Sequence, residues 1–404
     1  MATVLSRLML NAFKAIPIQN PSQSGATFKS TKVCLRGIRN MSTTLLDIDT
    51  PLVPLKESRR FITECMEAVG TPTSHAEALA DLLVEADYRG HYSHGMNRLE
   101  MYVSDISSGT CIASATPKVL KESPATAWVD GQNGLGAVVG NFCMDLAIQK
   151  AKNVGVGWVC AKGSNHYGIA GMYSLQALKQ GLLGMSFTNT SPLMSPTRSK
   201  EAALGTNPLT LGAPAENGDS FVLDMATTAV AVGKIEMQKR KKEPIPEGWA
   251  QDKEGNVTTD AETAYDSACL MPLGGSEINS GYKGFGLGLL VEVFCGILGG
   301  SHFGPNIRRW GEFGRSADLG QCFIAIDPNC FAPGFENRLS QLLNHIRNME
   351  PADPSKPVMV AGDPERLHME AVDKAGGVRY LPNQLTACQR LSESLKVAPL
   401  KPLS

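Results

Sequence analysis

The segment DYRGHYSHGMNR, residues 87–98, decides how the rest of the chain is read. Gly90 reads as the end of one helix and Ser93 as the cap of the next. His94 then stands in the first turn with Arg98 four residues on, so the two side chains share a helix face. An imidazole beside a guanidinium suits a small molecule that carries a carboxylate next to a carbonyl. Arg98 would grip the carboxylate through a bidentate, charge-assisted pair. His94 would protonate the carbonyl oxygen, a positioned acid catalysis of roughly 10²–10⁴-fold. A helix N-terminus disfavours imidazolium, so another group must help the ring carry its proton, and Ser93 is adjacent. The plainer reading is a cap followed by a solvated His–Arg pair. The company this segment keeps along the chain decides between the two.

Upstream, residues 54–70 carry apolar side chains at helical spacing and end in Gly70. Ser74 and Glu77 form a capping box that predicts a helix to about Arg89. A third helix is expected from Ser93 to about Ser108, which places the quoted segment at a helix–helix junction.

Downstream, Ala127–Asp130 reads as a strand, followed by GQNGLGAVVG and a helix to about Lys152. Gly134, Gly136 and Gly140 make a variant of the dinucleotide fingerprint, but Lys162 ends the next strand where a Rossmann unit wants an acid. The run is therefore read as a strand-to-helix turn. The strand Val156–Ala161 leads to GSNHYGIAG, whose His166 is either a structural residue or a ligand-facing one at a strand's C-terminal end. Another strand, 184–189, precedes a long polar loop rich in Pro, Gly and Thr that runs to Pro214. Phe221–Met225 is a buried-type strand, and Asp224 near its end either caps the following helix or holds a ligand hydroxyl. That helix is expected from Ala226–Thr228 to Arg240, and residues 243–270 read as a surface excursion. Residues 281–288 are a glycine-rich entry into an apolar helix, an arrangement that suits an anion, with Lys283 adding a full charge. A strand at 321–327, a helix at 337–348, the turn Gly362-Asp363-Pro364-Glu365 before a helix, a short strand at 377–381 and a final helix complete the chain. Helices alternating with strands make the class α/β with a helical N-terminal part.

The 404 residues suffice for two domains and a large core. A net charge of −1 gives no electrostatic basis for binding nucleic acid or an anionic membrane. No apolar run reaches the 18 or so residues of a membrane span. The ten cysteines are scattered, without C-x-x-C or zinc spacing, and read as reduced thiols. The first 46 residues hold no acidic side chain but carry Arg7, Lys14, Lys29, Lys32, Arg36 and Arg39 among many Ser and Thr. That composition predicts a mitochondrial transit peptide over residues 1–45, with a cytoplasmic protein as the alternative if translation starts at Met41.

Taken in one order, YSHGMNR (92–98), SNHYGIAG (164–171), TNTSPLMSP (188–196), LGTNPLTLGAP (204–214), FVLDMATT (221–228), GYKGFGLGLLVEV (281–293) and FIAIDP (323–328) resemble the malate/L-lactate dehydrogenase family that lacks a Rossmann fold. That family also includes L-sulfolactate and ureidoglycolate dehydrogenases, 2,3-diketogulonate reductase and a cyclic-imine reductase. The resemblance implies a helical portion packed on a mixed-sheet NAD(P)-binding domain. It implies His94 as proton donor, Ser93 as its relay partner, Arg98 as the carboxylate grip and His166 as a substrate-pocket or nicotinamide-side residue. It implies cofactor contacts from Ser220, Phe221, Val222, Leu223, Asp224, Met225 and Ala226, from Tyr282 and Lys283, and from Gly362, Asp363, Pro364 and Glu365. The last turn departs from the family's P-G-E or P-G-H-E pattern, reading AGDPE here. A homodimer with active sites near the interface is implied as well.

The expected function is NAD(P)-dependent interconversion of a small 2-hydroxy acid and its 2-oxo acid, malate first and lactate second, with NAD ranked ahead of NADP. Within the same fold the alternative is reduction of cyclic imino acids. Outside it stand a metal hydrolase built from His75, His91, His94, His166 and His302, whose spacing matches no ligand pattern, and a non-catalytic cofactor-binding scaffold. The expected division is 46–125 as the helical portion, joined by 335–404, and 126–334 as the cofactor-binding portion.

Overall fold

The computed structural model describes residues 50–309, 312 and 314–403, so the predicted transit peptide lies outside the described residues. Strand β1 (Leu52–Val53) leads into α1 (Leu55–Ala68), which buries Phe61, Ile62, Cys65 and Met66 on one face and ends at Gly70 in the left-handed region. Helix α2 (Thr73–Tyr88) follows directly on Pro72. The predicted capping box does not form: no side chain caps α2, and the Thr73 hydroxyl donates instead to Glu67 Oε1 at 2.6 Å.

The quoted segment departs from its predicted form. It is two short 3₁₀ turns, Tyr92–His94 and Met96–Arg98, separated at Gly95, and α3 begins only at Leu99 and runs to Ser107. His94 and Arg98 therefore do not share one regular helix face. A fixed turn, not helical periodicity, sets their relation.

Then come β2 (Lys118–Glu122), β3 (Thr126–Asp130), α4 (Gly136–Val154), β4 (Val156–Ser164), α5 (Gly171–Leu178), β5 (Leu183–Thr188), β6 (Leu209–Pro214) and β7 (Ser220–Met225). After α6 (Val232–Lys241) a small hairpin of β8 (Ala250–Gln251) and β9 (Val257–Thr258) and helix α7 (Ala261–Ser267) precede α8 (Gly281–Glu292). The chain closes with β10 (Leu319–Ile326), α9 (Phe335–Arg347), α10 (Asp363–Ala375), β11 (Val378–Arg379) and α11 (Pro382–Leu395). Three sequence readings are corrected here. LTLGAP is a sheet strand, not the end of a loop. The following helix starts at Val232, later than expected. Residues 243–270 are a folded unit with its own core of Val230, Ile235, Ile245, Ala250, Ala261, Ala264 and Leu270.

Seven strands form one mixed sheet in the order β2-β3-β4-β10-β5-β6-β7. Only β3 and β4 run parallel, and β10 lies antiparallel between β4 and β5. Helices α4 and α5 cover one face through Val139, Cys143, Met144, Ala147, Tyr173 and Ala177 against Val159, Ala161, Phe323 and Ala325. Helix α8 covers the other face through Val291, with Cys295 just beyond its end, against Cys160, Phe187, Cys322 and Ile324. A separate core joins α1, α2 and α3 to Val372 of α10, Val378 of β11, Tyr380 and Cys388 of α11. β1 pairs antiparallel with β11, which returns the end of the chain to its described beginning.

Candidate active site

The two 3₁₀ turns bring Ser93, His94 and Arg98 together at the end of α2. Ser93 Oγ and His94 Nδ1 share a hydrogen bond of 2.8 Å. Arg98 Nε donates to the Ser93 carbonyl at 2.6 Å, folding the guanidinium back onto the same turn. All three side chains are partly open to solvent. Ser93, predicted as a helix cap, makes no capping bond and engages the ring instead.

His166 arrives from the other part of the fold. It follows β4, and the loop that carries it is fixed by β10: Ser164 Oγ donates to Gln321 Oε1 at 2.8 Å and Gln321 Nε2 donates to the Asn165 carbonyl at 3.0 Å. Asn165 Nδ2 in turn donates to Gly134 O and Asn133 Oδ1. Two glycines of the GQNGLGAVVG run make this packing possible. A Cβ on Gly136 would lie 2.3 Å from the His166 carbonyl, and one on Gly140 would lie 2.3 Å from the Tyr173 ring. The space a phosphate would need at those two glycines is filled by protein.

The His94 and His166 rings stack at 5.8 Å with planes 21° apart. Tyr102 of α3, one turn beyond Arg98, is hydrogen-bonded to His166 Nδ1 at 2.6 Å, and the Gly168 N–H points at the same nitrogen at 3.4 Å. Because Gly168 can only donate, Nδ1 is an acceptor and His166 keeps its proton on Nε2. Tyr102 is a site residue the sequence reading did not single out; its position four after Arg98 was the available signal.

Burial is the first cause of every shift here. It lowers His94 to about 4, with Arg98 and His91 adding repulsion. It also holds His166 well below the usual imidazole range, helped by His94, Arg98 and Arg308. It lowers Arg98, opposed by Tyr102 and by Glu236 and Tyr265. Those last two belong to α6 and α7, and a Cβ on Gly233 would sit 3.8 Å from Ser93 Cβ. The unit at 230–270 thus borders the turn.

The other predicted residues fall in three places. Asp224 Oδ2 accepts from the Gly171 N–H at 2.8 Å, so it serves the start of α5, not the helix that follows it. Ser220–Ala226 otherwise spans β7 and the residue after it; Ser220 Oγ accepts from Arg366 Nη1 at 3.3 Å, and the Val222 N–H donates to Ala361 O. Gly362 has φ +100°, and a Cβ there would meet Val222 at 3.2 Å and Arg366 at 3.0 Å. Asp363 and Asp219 are bound by Arg347 at 2.6–3.1 Å, with Arg366 also on Asp363. Pro364 stands in the first turn of α10, and Glu365 lies 3.7 Å from His91 Nε2, three residues before His94. Tyr282 and Lys283 are exposed in the first turn of α8, and no described contact joins them to the two histidines. Surface hollows of about 430 and 700 Å³ contain none of the predicted site residues. Among the described residues no three His, Cys, Asp or Glu side chains gather as metal ligands.

Residues 53–387 match the family model described as malate/L-lactate dehydrogenase. The chain belongs to that family. It is similar to the malate dehydrogenase of Pyrococcus abyssi, 40% identical over 327 residues that cover 80% of this chain and 90% of the relative. It is equally similar to the L-sulfolactate dehydrogenase of Methanocaldococcus jannaschii, 40% identical over 333 residues covering 82% and 94%. Its fold is similar to the solved malate dehydrogenase of Pyrococcus horikoshii, with TM-score 0.79, 37% identity and coverage of 86% and 97%. The malate/L-lactate dehydrogenase family fold is thus spanned almost end to end, and the chain is an oxidoreductase of the hydroxy-acid dehydrogenase type.

Proposed function

We propose that the chain interconverts a small 2-hydroxy acid and its 2-oxo acid with NAD(P), malate and oxaloacetate being the first pair. The single observation that carries this reading is the stack of His94 on His166 beside Arg98. Arg98 holds the substrate carboxylate. His94 gives a proton to the carbonyl oxygen in reduction and takes it back in oxidation, with Ser93 holding Nδ1. His166, held at Nδ1 by Tyr102 and with its proton on Nε2, orients the substrate from the facing side. Its neutral ring adds no charge to the pocket.

The residues present suit a dinucleotide. Ser220 offers a hydroxyl, and Arg366, already paired with Asp363, stands beside it. Ser220–Ala226 and Gly362–Glu365 would hold the cofactor, with Tyr282 and Lys283 contributing from α8. When bound it supplies hydride to the substrate 2-carbon and recovers it in oxidation. NAD is ranked ahead of NADP because Arg347 and Arg366 are already matched by Asp219 and Asp363, which leaves no surplus cation there for a 2′-phosphate.

The chain is further proposed to act as a homodimer. Helix α8 turns its small residues inward, with Gly281, Gly284 and Gly288 buried, and leaves Leu289 and Leu290, with Val293, Ile297 and Leu298 just beyond its end, between 40% and 56% exposed. Such a run of exposed apolar side chains supports a self-association face. The division into a helical portion, 46–125 with 335–404, and a cofactor portion, 126–334, is supported by the core that α1–α3 share with α10 and α11. Import into mitochondria is supported by the acid-free, basic first 46 residues.

The test is NADH and NADPH oxidation by the full chain across oxaloacetate, pyruvate and a cyclic imino acid. The reading expects turnover of 2-oxo acids, lost in His94→Ala. Turnover of the cyclic imine alone, or an unimpaired His94→Ala, overturns it.

A further inference from the structure

Beneath the turn that carries His94 and Arg98 lies a carboxyl group with no described ion-pair partner. Asp87 is wholly buried near the C-terminal end of α2, where the helix dipole disfavours a negative charge. Its Oδ2 accepts from the Met96 N–H at 2.9 Å and from the Tyr380 hydroxyl at 2.8 Å. Met96 is the midpoint between His94 and Arg98. The other oxygen, Oδ1, is buried without a hydrogen-bond partner and lies under Gly95, where a Cβ would approach it to 1.8 Å. Gly95 is the break between the two 3₁₀ turns, so only glycine lets the chain cross the carboxyl group there.

Tyr380 extends the hold. Its hydroxyl also meets Ser58 Oγ of α1 at 3.2 Å, and the Tyr92 ring packs edge-on against its ring at 6.4 Å. Tyr92 OH reaches His368 Nε2 of α10 at 3.2 Å, and His368 Nδ1 is bonded to the Tyr88 carbonyl at 2.9 Å. The turn is thus tied at its centre to α2, α1 and the C-terminal segment through one carboxyl group. Burial pushes that group up to about 7, against the Met96 and Tyr380 hydrogen bonds. A site this costly to desolvate, at the wrong helix end, is explained by what it holds.

We propose that Asp87, with Tyr380 as its partner, is a positioning residue that fixes the spacing of His94 and Arg98 by anchoring the Met96 N–H between them. It touches neither substrate nor cofactor. The inference rests on the proposed 2-oxo-acid reading for its kinetic arm only.

The test compares Asp87→Asn and Tyr380→Phe with the unaltered full chain. Tyr380→Phe removes one hydroxyl and leaves the Met96 bond, so it keeps the question open to measurement if Asp87→Asn does not fold. The expected result for the folded variants is a fall in kcat/KM for the 2-oxo acid, about tenfold or more for Asp87→Asn and about threefold for Tyr380→Phe. KM for NADH stays unchanged. A crystal structure of either variant is expected to have the His94–His166 stack opened and Arg98 Nε released from Ser93 O. Wild-type kcat/KM together with an undisturbed turn in a folded variant overturns the proposal. If the unaltered chain turns over no 2-oxo acid, the functional reading falls, and the geometry of the turn in the variant structures still decides the role of Asp87.

Discussion

His94 and His166 lie ring over ring at 5.8 Å, although one ends a turn in the helical part and the other follows a central strand of the sheet. Burial lowers His94 to about 4, with repulsion from Arg98 and His91 adding to it, and His94 in turn helps to hold the His166 ring neutral. Between pH 4 and the ordinary value of 6.5, the unfolded chain binds a proton at this residue that the folded chain refuses. Stability therefore rises with pH across that window. His94→Gln is expected to flatten this slope, read from melting temperatures at pH 4.5 to 7, with His166 supplying what remains. In catalysis, kcat/KM for hydroxy-acid oxidation is expected to hold from pH 7 to about 5 and to fall below that. A limb centred near 6.5 and removed by His94→Gln contradicts the assignment.

Arg98 is expected to tolerate no substitute. Lysine keeps the charge but loses the planar fork and the hydrogen bond from Nε to Ser93 O. Losing a charged hydrogen bond of roughly 1.5–3 kcal/mol predicts a rise in substrate KM of about 10- to 150-fold for Arg98→Lys. KM for NADH should stay within a factor of two or so. Steady-state kinetics with oxaloacetate and NADH checks both numbers.

Tyr102→Phe isolates the orientation of His166. The phenol oxygen is buried and bonded to Nδ1 at 2.6 Å, and Phe fills the same volume. One oriented hydrogen bond of about 1.4 kcal/mol predicts a tenfold loss in kcat. Because Gly168 still donates to Nδ1, the tautomer is kept and the loss should not exceed that by much. A change in melting temperature with kcat untouched would assign Tyr102 to stability alone.

The exposed apolar side of α8 and of the turn that continues it gives a prediction independent of catalysis. Leu290→Glu with Val293→Glu places two charges on the apolar face while leaving the inward Gly288 and Val291 in place. Sedimentation velocity is expected to find a dimer for the unaltered chain and a monomer for the double variant, with far-UV spectra alike. Two species of equal mass would remove α8 from any interface.

Most sheet strands and the long helices were legible because their signals are local, while β2 at Lys118–Glu122 went unread. Val156–Ala161 and Phe221–Met225 are apolar runs bounded by turns, and α4 ends in Gly155 in the left-handed region. The readings failed where tertiary contacts overrule local signals. LTLGAP looks like loop because of Gly212 and Pro214, yet Gly212 sits opposite Gly184 in the pairing of β6 with β5, and Pro214 ends the strand. Residues 243–270 look solvated until Ile245, Ala250 and Ala264 meet Ile235 from an earlier helix. The capping box at Ser74 lost to Pro72, which starts the helix two residues earlier. The pairing of Ser93, His94 and Arg98 was anticipated for the wrong geometric reason. Gly95 interrupts the helix, and the partner that holds the turn, Tyr380, lies far beyond any local window.

The place of β10 in the sheet bears on how the protein is made. The strand inserted between β4 and β5 is written at 319–326, well after both of its neighbours. During synthesis those neighbours leave the ribosome with their facing edges bare, and they stay so until most of the message has been translated. Long-range pairing of this kind folds slowly and leaves nascent chains prone to aggregate. A polypeptide truncated before Leu319 should consequently form inclusion bodies and not a smaller soluble enzyme.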